Sequence, residues 1–193
     1  MHIYKLIPVL AVFAVMTSGA IAQDTYESDV THAHVGFEIS HMVISKVKGN
    51  FDKHSSSLVV NKGKLESVNA TIEIGSINTR NEKRDKHLRQ PDFFDAEKYP
   101  SMTFTSTAIS GKKGKGVITG DLTIRDVTKS VQLPYKLTGP IKDPYGNTKI
   151  GLEASGEIDR SEFGLTYSKA LESGGLMIGN EVTLDINMEF AKK

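Results

Sequence analysis

Residues 180–191, NEVTLDINMEFA, alternate apolar and polar side chains without a slip. Val182, Leu184, Ile186, Met188 and Phe190 fall on one parity, with Glu181, Thr183, Asp185, Asn187 and Glu189 on the other. A β-strand turns successive side chains to opposite faces, so this run has one apolar face and one polar face. A helix would scatter the same residues around its axis. The pattern continues backwards through the chain. Ile150, Leu152, Ala154 and Ile158 alternate, as do Val131, Leu133, Tyr135 and Leu137, and Ile118, Leu122 and Ile124 with Gly120 in phase. Earlier runs are Met102 and Phe104, Ile72 and Ile74, Leu58 and Val60, Val47 with Phe51, and Val35 with Phe37 and Ile39. Turn formers separate them at Asn61-Lys62-Gly63, Gly111–Gly114, Asp143–Gly146 and Gly174-Gly175. About eight strands joined mostly by short connections predict an all-β protein, an antiparallel sandwich or barrel.

One stretch breaks the alternation: Ser76–Pro100, SINTRNEKRDKHLRQPDFFDAEKYP. The spacing predicts a helix over Thr79–Gln90, with Asn78 or Thr79 as N-cap and Pro91 as the stop. A second short turn is expected from Asp92 through Phe93, Phe94 and Ala96. Two adjacent phenylalanines in an irregular turn cannot both point inward as on a strand. One is expected to plug the barrel end and the other to pack beneath the helix.

The first residues carry a different message. Lys5, the apolar run Leu6–Met16 and the small-x-small Ala20-Ile21-Ala22 form the pattern of a cleaved export signal over residues 1–22. The apolar run is shorter than the roughly 18–20 residues a bilayer-spanning helix needs. Residues 23–193 are then one exported domain, expected in the periplasm, of a length that supports a core without the disulfides this cysteine-free chain cannot form. The 24 Lys and Arg against 23 Asp and Glu become balanced once Lys5 is removed. The basic clusters Arg80–Arg89 and Lys112–Lys115 lack interleaved aromatics, which argues against nucleic acid and for solvated surface.

One apolar face per strand has two uses in an eight-stranded barrel. The side chains fill the interior, or they leave room for one small ligand. Alternation alone favours the packed core. Strands as long as Lys149–Asp159 and Asn180–Ala191, at ~3.4 Å per residue, make the barrel elongated.

Four motifs, in order along nearly the whole exported domain, resemble the YceI family of bacterial periplasmic, lipocalin-like proteins. They are Asp29-x-x-His32-x-x-Val35-x-Phe37-x-x-x-His41; Ser76-Ile-Asn-Thr79 with Arg84-Asp85-x-His87-Leu88 and Asp92-Phe93-Phe94-Asp95 to Tyr99-Pro100; Gly120-x-Leu122-x-Ile124 to Thr128-Lys129; and Asp159-Arg160-x-x-Phe163-Gly164. Ala33 stands where the family usually has Ser, and Ser130 where Pro is frequent. The resemblance implies an elongated eight-stranded antiparallel lipocalin-like barrel with a short helical insert. Its apolar tunnel would take a long-chain amphiphile: a polyisoprenoid, an isoprenoid quinone, or a fatty acid or amide. It implies no required cofactor, and homodimers are possible in such a family. The tunnel would be lined by Val35, Phe37, Ile39, Ile72, Ile74 and the insert's Phe93 and Phe94. On the following strands it would include Phe104, Leu122, Ile124, Leu133, Tyr135 and Leu152, then Leu184, Ile186 and Met188. Arg84, Asp85, His87 and Tyr99 are candidates for the headgroup end.

Other chemistry is weakly supported. His32 and His34 share a strand face, as some metal sites require, but no third or fourth ligand is evident and no metal is expected. His41, an odd number of residues beyond His34, belongs to the opposite face. His54 falls in a polar turn and is expected to be solvated. Gly111–Gly116 lacks the Lys-Ser/Thr and helix of a phosphate loop, and no nucleophile motif is present. Asp85 and His87, two apart on a helix, diverge, and Arg84 and Asp85 are expected to fix the insert to the barrel wall. A non-enzymatic carrier or sequestering protein is the leading reading. The alternatives are a periplasmic enzyme of isoprenoid or quinone metabolism, and a structural domain with a filled core.

Overall fold

The protein is described by a computed structural model covering residues 23–172 and 174–193. The segment read as a cleaved signal, residues 1–22, lies outside the described residues.

Strand β1 (Asp24–His41) is followed by β2 (Ser45–Phe51), β3 (His54–Asn61) and β4 (Lys64–Glu73). A 3-10 turn over Ile74–Ser76 leads to the two-residue β5 (Ile77–Asn78) and helix α1 (Glu82–Leu88). Then come β6 (Ser101–Lys112), β7 (Lys115–Ile124), β8 (Val127–Lys142), β9 (Thr148–Asp159), a second 3-10 turn over Arg160–Phe163, and β10 (Ile178–Lys192). All pairings are antiparallel, and β10 pairs back onto β1, so the sheet closes. Two walls are interrupted strands. β1 pairs with β3 through Asp24–Glu27 and with β2 through Gly36–His41, while β4 and β5 follow the same break. The result is a closed eight-stranded antiparallel barrel whose strands reach 18 residues in β1 and 15 in β10.

Inward parity follows the sequence closely. Along β7, Ile118, Gly120, Leu122 and Ile124 are buried and their neighbours are not. Gly120 has a packing reason: a Cβ there would lie 2.4 Å from the Phe104 ring, which crosses above it. Lys62 and Gly63 both take positive φ in the tight β3–β4 turn, as the hairpin signal requires. The β1–β2 turn uses Met42 (φ 52°) and Val43 (φ 64°) instead, a conformation that costs a β-branched residue.

All the long connections gather at one end. The insert and the connection from β9 to β10 lie there with the short β1–β2 and β7–β8 turns, and the β3–β4, β6–β7 and β8–β9 turns lie at the other. The far end is solidly packed: Tyr26, Leu58, Leu65, Ile118, Ile150 and Phe190 are each at most 3 % exposed. Among the described residues no helix is long and apolar enough to cross a membrane.

The insert's helix departs from its sequence reading at both ends. The helix begins three residues later than expected, at Glu82, and its N-cap is Asn81, whose side chain accepts from the Arg84 N–H. Thr79 cannot cap because its own N–H and hydroxyl both donate to Asp85 Oδ1, at 2.9 and 2.5 Å. Arg80, at φ 61°, makes the bend between them. The helix also ends two residues before the expected Gln90, at Leu88, with Arg89 as C-cap ahead of Pro91.

Candidate functional site

The barrel interior near the insert is not filled. A cavity of about 150 Å³ lies under α1, and a second of about 120 Å³ lies deeper among the β-strands. Phe37, Phe51, Met102, Ile124, Ile158 and Leu184 border both, so the two are segments of one apolar lumen. Side chains facing it are packed on one side only. That is why Val35, Phe37, Ile39, Leu184 and Ile186 stay half-buried although their parity is inward. Gly49 helps shape the wall: a Cβ there would fall 2.5 Å from the Phe37 ring and 2.9 Å from the Thr79 methyl.

Most residues expected to line a tunnel border one of the two cavities. Ile39, Phe93 and Phe94 border the outer segment. Val35, Ile72, Phe104, Leu122, Leu133, Leu152, Ile186 and Met188 border the deeper one. Ile74 and Tyr135 do not. Ile74 enters the 3-10 turn and is fully buried in the core, and Tyr135 packs beyond the lumen, where burial raises its pKa. Both phenylalanines of the insert reach the lumen, with distinct partners. Phe93 is 6 % exposed and packs against His87 and Tyr167, at 4.9 Å between ring centres in each case. Phe94 sets its ring edgewise on Phe51, at 6.1 Å. The turn backbone over residues 91–94 allows this, because successive side chains there do not alternate between opposite faces as on a strand.

Of the four headgroup candidates, only Arg84 borders the cavity. Asp85 is 6 % exposed and spent on Thr79. His87 pairs with Asp92 Oδ2 at 2.6 Å, and Tyr99 packs against Lys98 and Arg125. Arg84 is tied to the wall as well, with Nε donating to Thr79 Oγ1 at 2.7 Å and Nη2 to Thr79 O at 2.8 Å. The basic run 80–89 is therefore more than solvated surface: Arg84 and Arg89 are half-buried.

Sequence reasoning missed Arg160. Its side chain lines the outer cavity and is 4 % exposed. Nε donates to Gly179 O at 2.7 Å, Nη2 to Ile178 O at 3.2 Å, and Nη1 to Leu165 O. The turn after β9 and the start of β10 are thereby stapled together. Ser40, His41 and Thr79 are the other polar residues at this end of the lumen. His41 is thus on the face opposite His34, as its spacing predicts.

The remaining histidines behave differently from one another. β1 bulges between Ser28 and Ala33. There Asp29 Oδ2 meets His32 Nδ1 at 3.1 Å and Lys149 Nζ at 2.9 Å, while Lys149 also reaches Glu189 at 3.2 Å. Asp29, His32 and Glu189 offer three potential metal-ligand atoms within 4.8 Å of one another. Lys149 already supplies the positive charge, so a cation would have to displace it. Hydrogen bonds from the Thr31 hydroxyl, Lys149 and His32 hold the Asp29 carboxyl well below the usual carboxylate range. His54 is half-buried at the start of β3 rather than solvated. Its Nδ1 is buried without a partner, and burial, with His34 nearby, lowers its pKa.

Comparison with known proteins agrees with this geometry. The YceI-like domain family matches residues 26–190. A UPF0312 protein of Staphylococcus aureus strain USA300 is 34 % identical over 166 residues, spanning 84 % of this chain and 95 % of its own. The crystal structure of a Campylobacter jejuni YceI protein is 37 % identical with a TM-score of 0.69, covering 80 % of this chain and 90 % of its own. A polyisoprenoid binding domain from Saccharophagus degradans shares the fold at 17 % identity, with a TM-score of 0.62 and coverage of 87 % and 98 %. The barrel, its insert and its sequence motifs place this chain in the YceI-like family.

Proposed function

We propose that this protein is a non-enzymatic periplasmic carrier or sequestering protein for a long-chain amphiphile. The ligand would be a polyisoprenoid, an isoprenoid quinone, or a fatty acid or amide, and no cofactor takes part. The observation that carries the reading is the apolar lumen beneath the insert, two adjoining cavities that share bordering side chains, with a few polar side chains at its outer end. The name of the Saccharophagus degradans domain supports a polyisoprenoid among the candidates.

The mechanism is desolvation. An extended chain entering the lumen leaves water for contact with Phe37, Ile124, Leu184 and Met188. At about 25 cal/mol per Å², burying roughly 300 Å² of apolar surface contributes about 7.5 kcal/mol before the cost of association is subtracted. The interrupted walls and the cluster of long connections put the open space at the insert end, so the chain would enter tail first there. The far end, closed by Tyr26, Leu58, Leu65 and Phe190, would stop it.

Organic extraction and mass spectrometry of the purified protein test this directly. A co-purifying long-chain lipid, and uptake of an added quinone or fatty amide by the stripped protein, are expected. Absence of any bound chain together with no uptake overturns the reading.

A further inference from the structure

The outer cavity is bordered by two guanidiniums, Arg84 and Arg160, and by no Asp or Glu. Neither arginine has a carboxylate within 4.0 Å among the described residues. Arg84 is linked to Asp85 at one remove, through the Thr79 hydroxyl that both share. Arg160 has no such relay. Its donors go to three backbone carbonyls, and the adjacent Asp159 carboxylate is turned to Ser161, accepting from its N–H at 2.8 Å and its hydroxyl at 2.6 Å. Carbonyl dipoles satisfy hydrogen bonds but do not neutralise a charge. A guanidinium 4 % exposed at the edge of an apolar lumen is therefore a buried cation with no carboxylate in direct contact among the described residues, Asp159 acting on it only through space, an arrangement that is costly in the empty protein. Burial accordingly pulls the Arg160 pKa down. Donors remain for a ligand: three of the five guanidinium N–H groups of Arg160 and two of those of Arg84 are used.

We propose that the preferred amphiphile has an anionic head, a carboxylate or a phosphate, held between Arg84 and Arg160 with its chain in the lumen. This rests on the reading of the lumen as an amphiphile site and names the head that site selects. A planar guanidinium presents paired donors that match two oxygens of either anion. A neutral head of the same size would fill the space and leave the Arg160 charge unanswered. Ser40, at the same end, has a hydroxyl for a remaining oxygen, whereas the Thr79 hydroxyl is already spent on Asp85.

The test uses the stripped protein loaded with the neutral fluorophore N-phenyl-1-naphthylamine at pH 8. Dodecanoate, dodecyl phosphate and dodecanol, equal in chain length, compete for the site. Dodecanoate or dodecyl phosphate is expected to displace the probe at least about tenfold more tightly than dodecanol, and the stronger of the two identifies the head. Arg160→Gln and Arg84→Gln should each shrink that preference, and added salt, which screens a buried pair little, should leave most of it in the wild type. Arg160 also staples backbone, so circular dichroism accompanies each variant. If Arg160→Gln does not fold, the wild-type preference and Arg84→Gln decide the matter. Probe uptake with no preference for the anions, or a preference that both variants leave intact, overturns the anionic head while the amphiphile reading stands. No uptake of the probe or of any dodecyl compound removes the amphiphile reading itself.

Discussion

Along β10, Met188 and Phe190 are 3 % and 1 % exposed, whereas Val182, Leu184 and Ile186, on the same parity, are only half-buried. β1 repeats the contrast from its other end, with Tyr26 at 2 % and Val35, Phe37 and Ile39 half-buried. One alternating pattern thus serves two purposes. Towards the tight turns Met188 and Phe190 still border the deep end of the lumen, and beyond them Tyr26, Leu58 and Leu65 meet one another and close a core. Towards the insert they face a lumen, and the structure above them is held by polar contacts: Thr79 with Asp85 and Arg84, and Arg160 with the carbonyls of Leu165, Ile178 and Gly179. Stability is concentrated at one end of the barrel and binding capacity at the other.

The largest expected effect sharpens that division directly. Leu58→Ala removes a fully buried side chain that borders neither cavity and is expected to cost about 2–5 kcal/mol in urea unfolding. Leu184→Ala deletes atoms that already border empty space, and should cost less than half as much. Equal losses at the two positions would break the comparison. Next in size, Asp85→Ala strands the Thr79 N–H and hydroxyl in a buried site, at about 1–3 kcal/mol. Its signature is local. Hydrogen exchange should quicken across residues 77–100 while the amides of Met188 and Phe190 keep their protection. A smaller change tests the cavity itself. Leu184→Phe in a filled core would cost about 1–3 kcal/mol by overpacking. In the lumen it should be nearly neutral to stability and should weaken uptake of the naphthylamine probe.

The two ends also differ in how far they could be read from sequence. Period-two alternation is local, so the inward parity of Ile118, Leu122, Leu152 and Phe190, and hence the packed wall, follows from the residues alone. Lys62-Gly63 announced its turn. Met42 and Val43 did not, because a turn built on two bulky residues at positive φ carries no glycine or asparagine signal. Ile74 kept the strand parity of Ile72 while the backbone left the strand, so it reads as lining and is core. Whether inward side chains touch or leave a gap depends on barrel closure, which no single run encodes. Alternation alone therefore favoured a filled core, and only the family resemblance argued for a tunnel. Arg160 was invisible for a related reason. Its burial depends on carbonyls at Leu165, Ile178 and Gly179, brought together by a fold-back that follows β9.

The smallest expected effect lies at the seam that closes the barrel. Asp29 sits in the β1 bulge opposite β10, bonded to Thr31, Lys149 and His32. These donors favour its ionised form, so its folded pKa is depressed from the ordinary 3.8. The unfolded chain then takes up the proton first as pH falls. The contribution of Asp29 to stability is fully present above about pH 4 and fades as the solution is acidified towards the folded carboxyl's own pKa. Because the cluster is partly exposed, solvent screens it and the effect is modest. Asp29→Asn should lower stability slightly at pH 7 and flatten its fall between pH 4 and pH 2, as followed by thermal unfolding across that range. A variant curve parallel to wild type would mean that the bulge is held by its backbone pairing with β10 and not by its charges. The seam would then belong with the packed end, where Tyr26, Leu58 and Leu65 are held by burial.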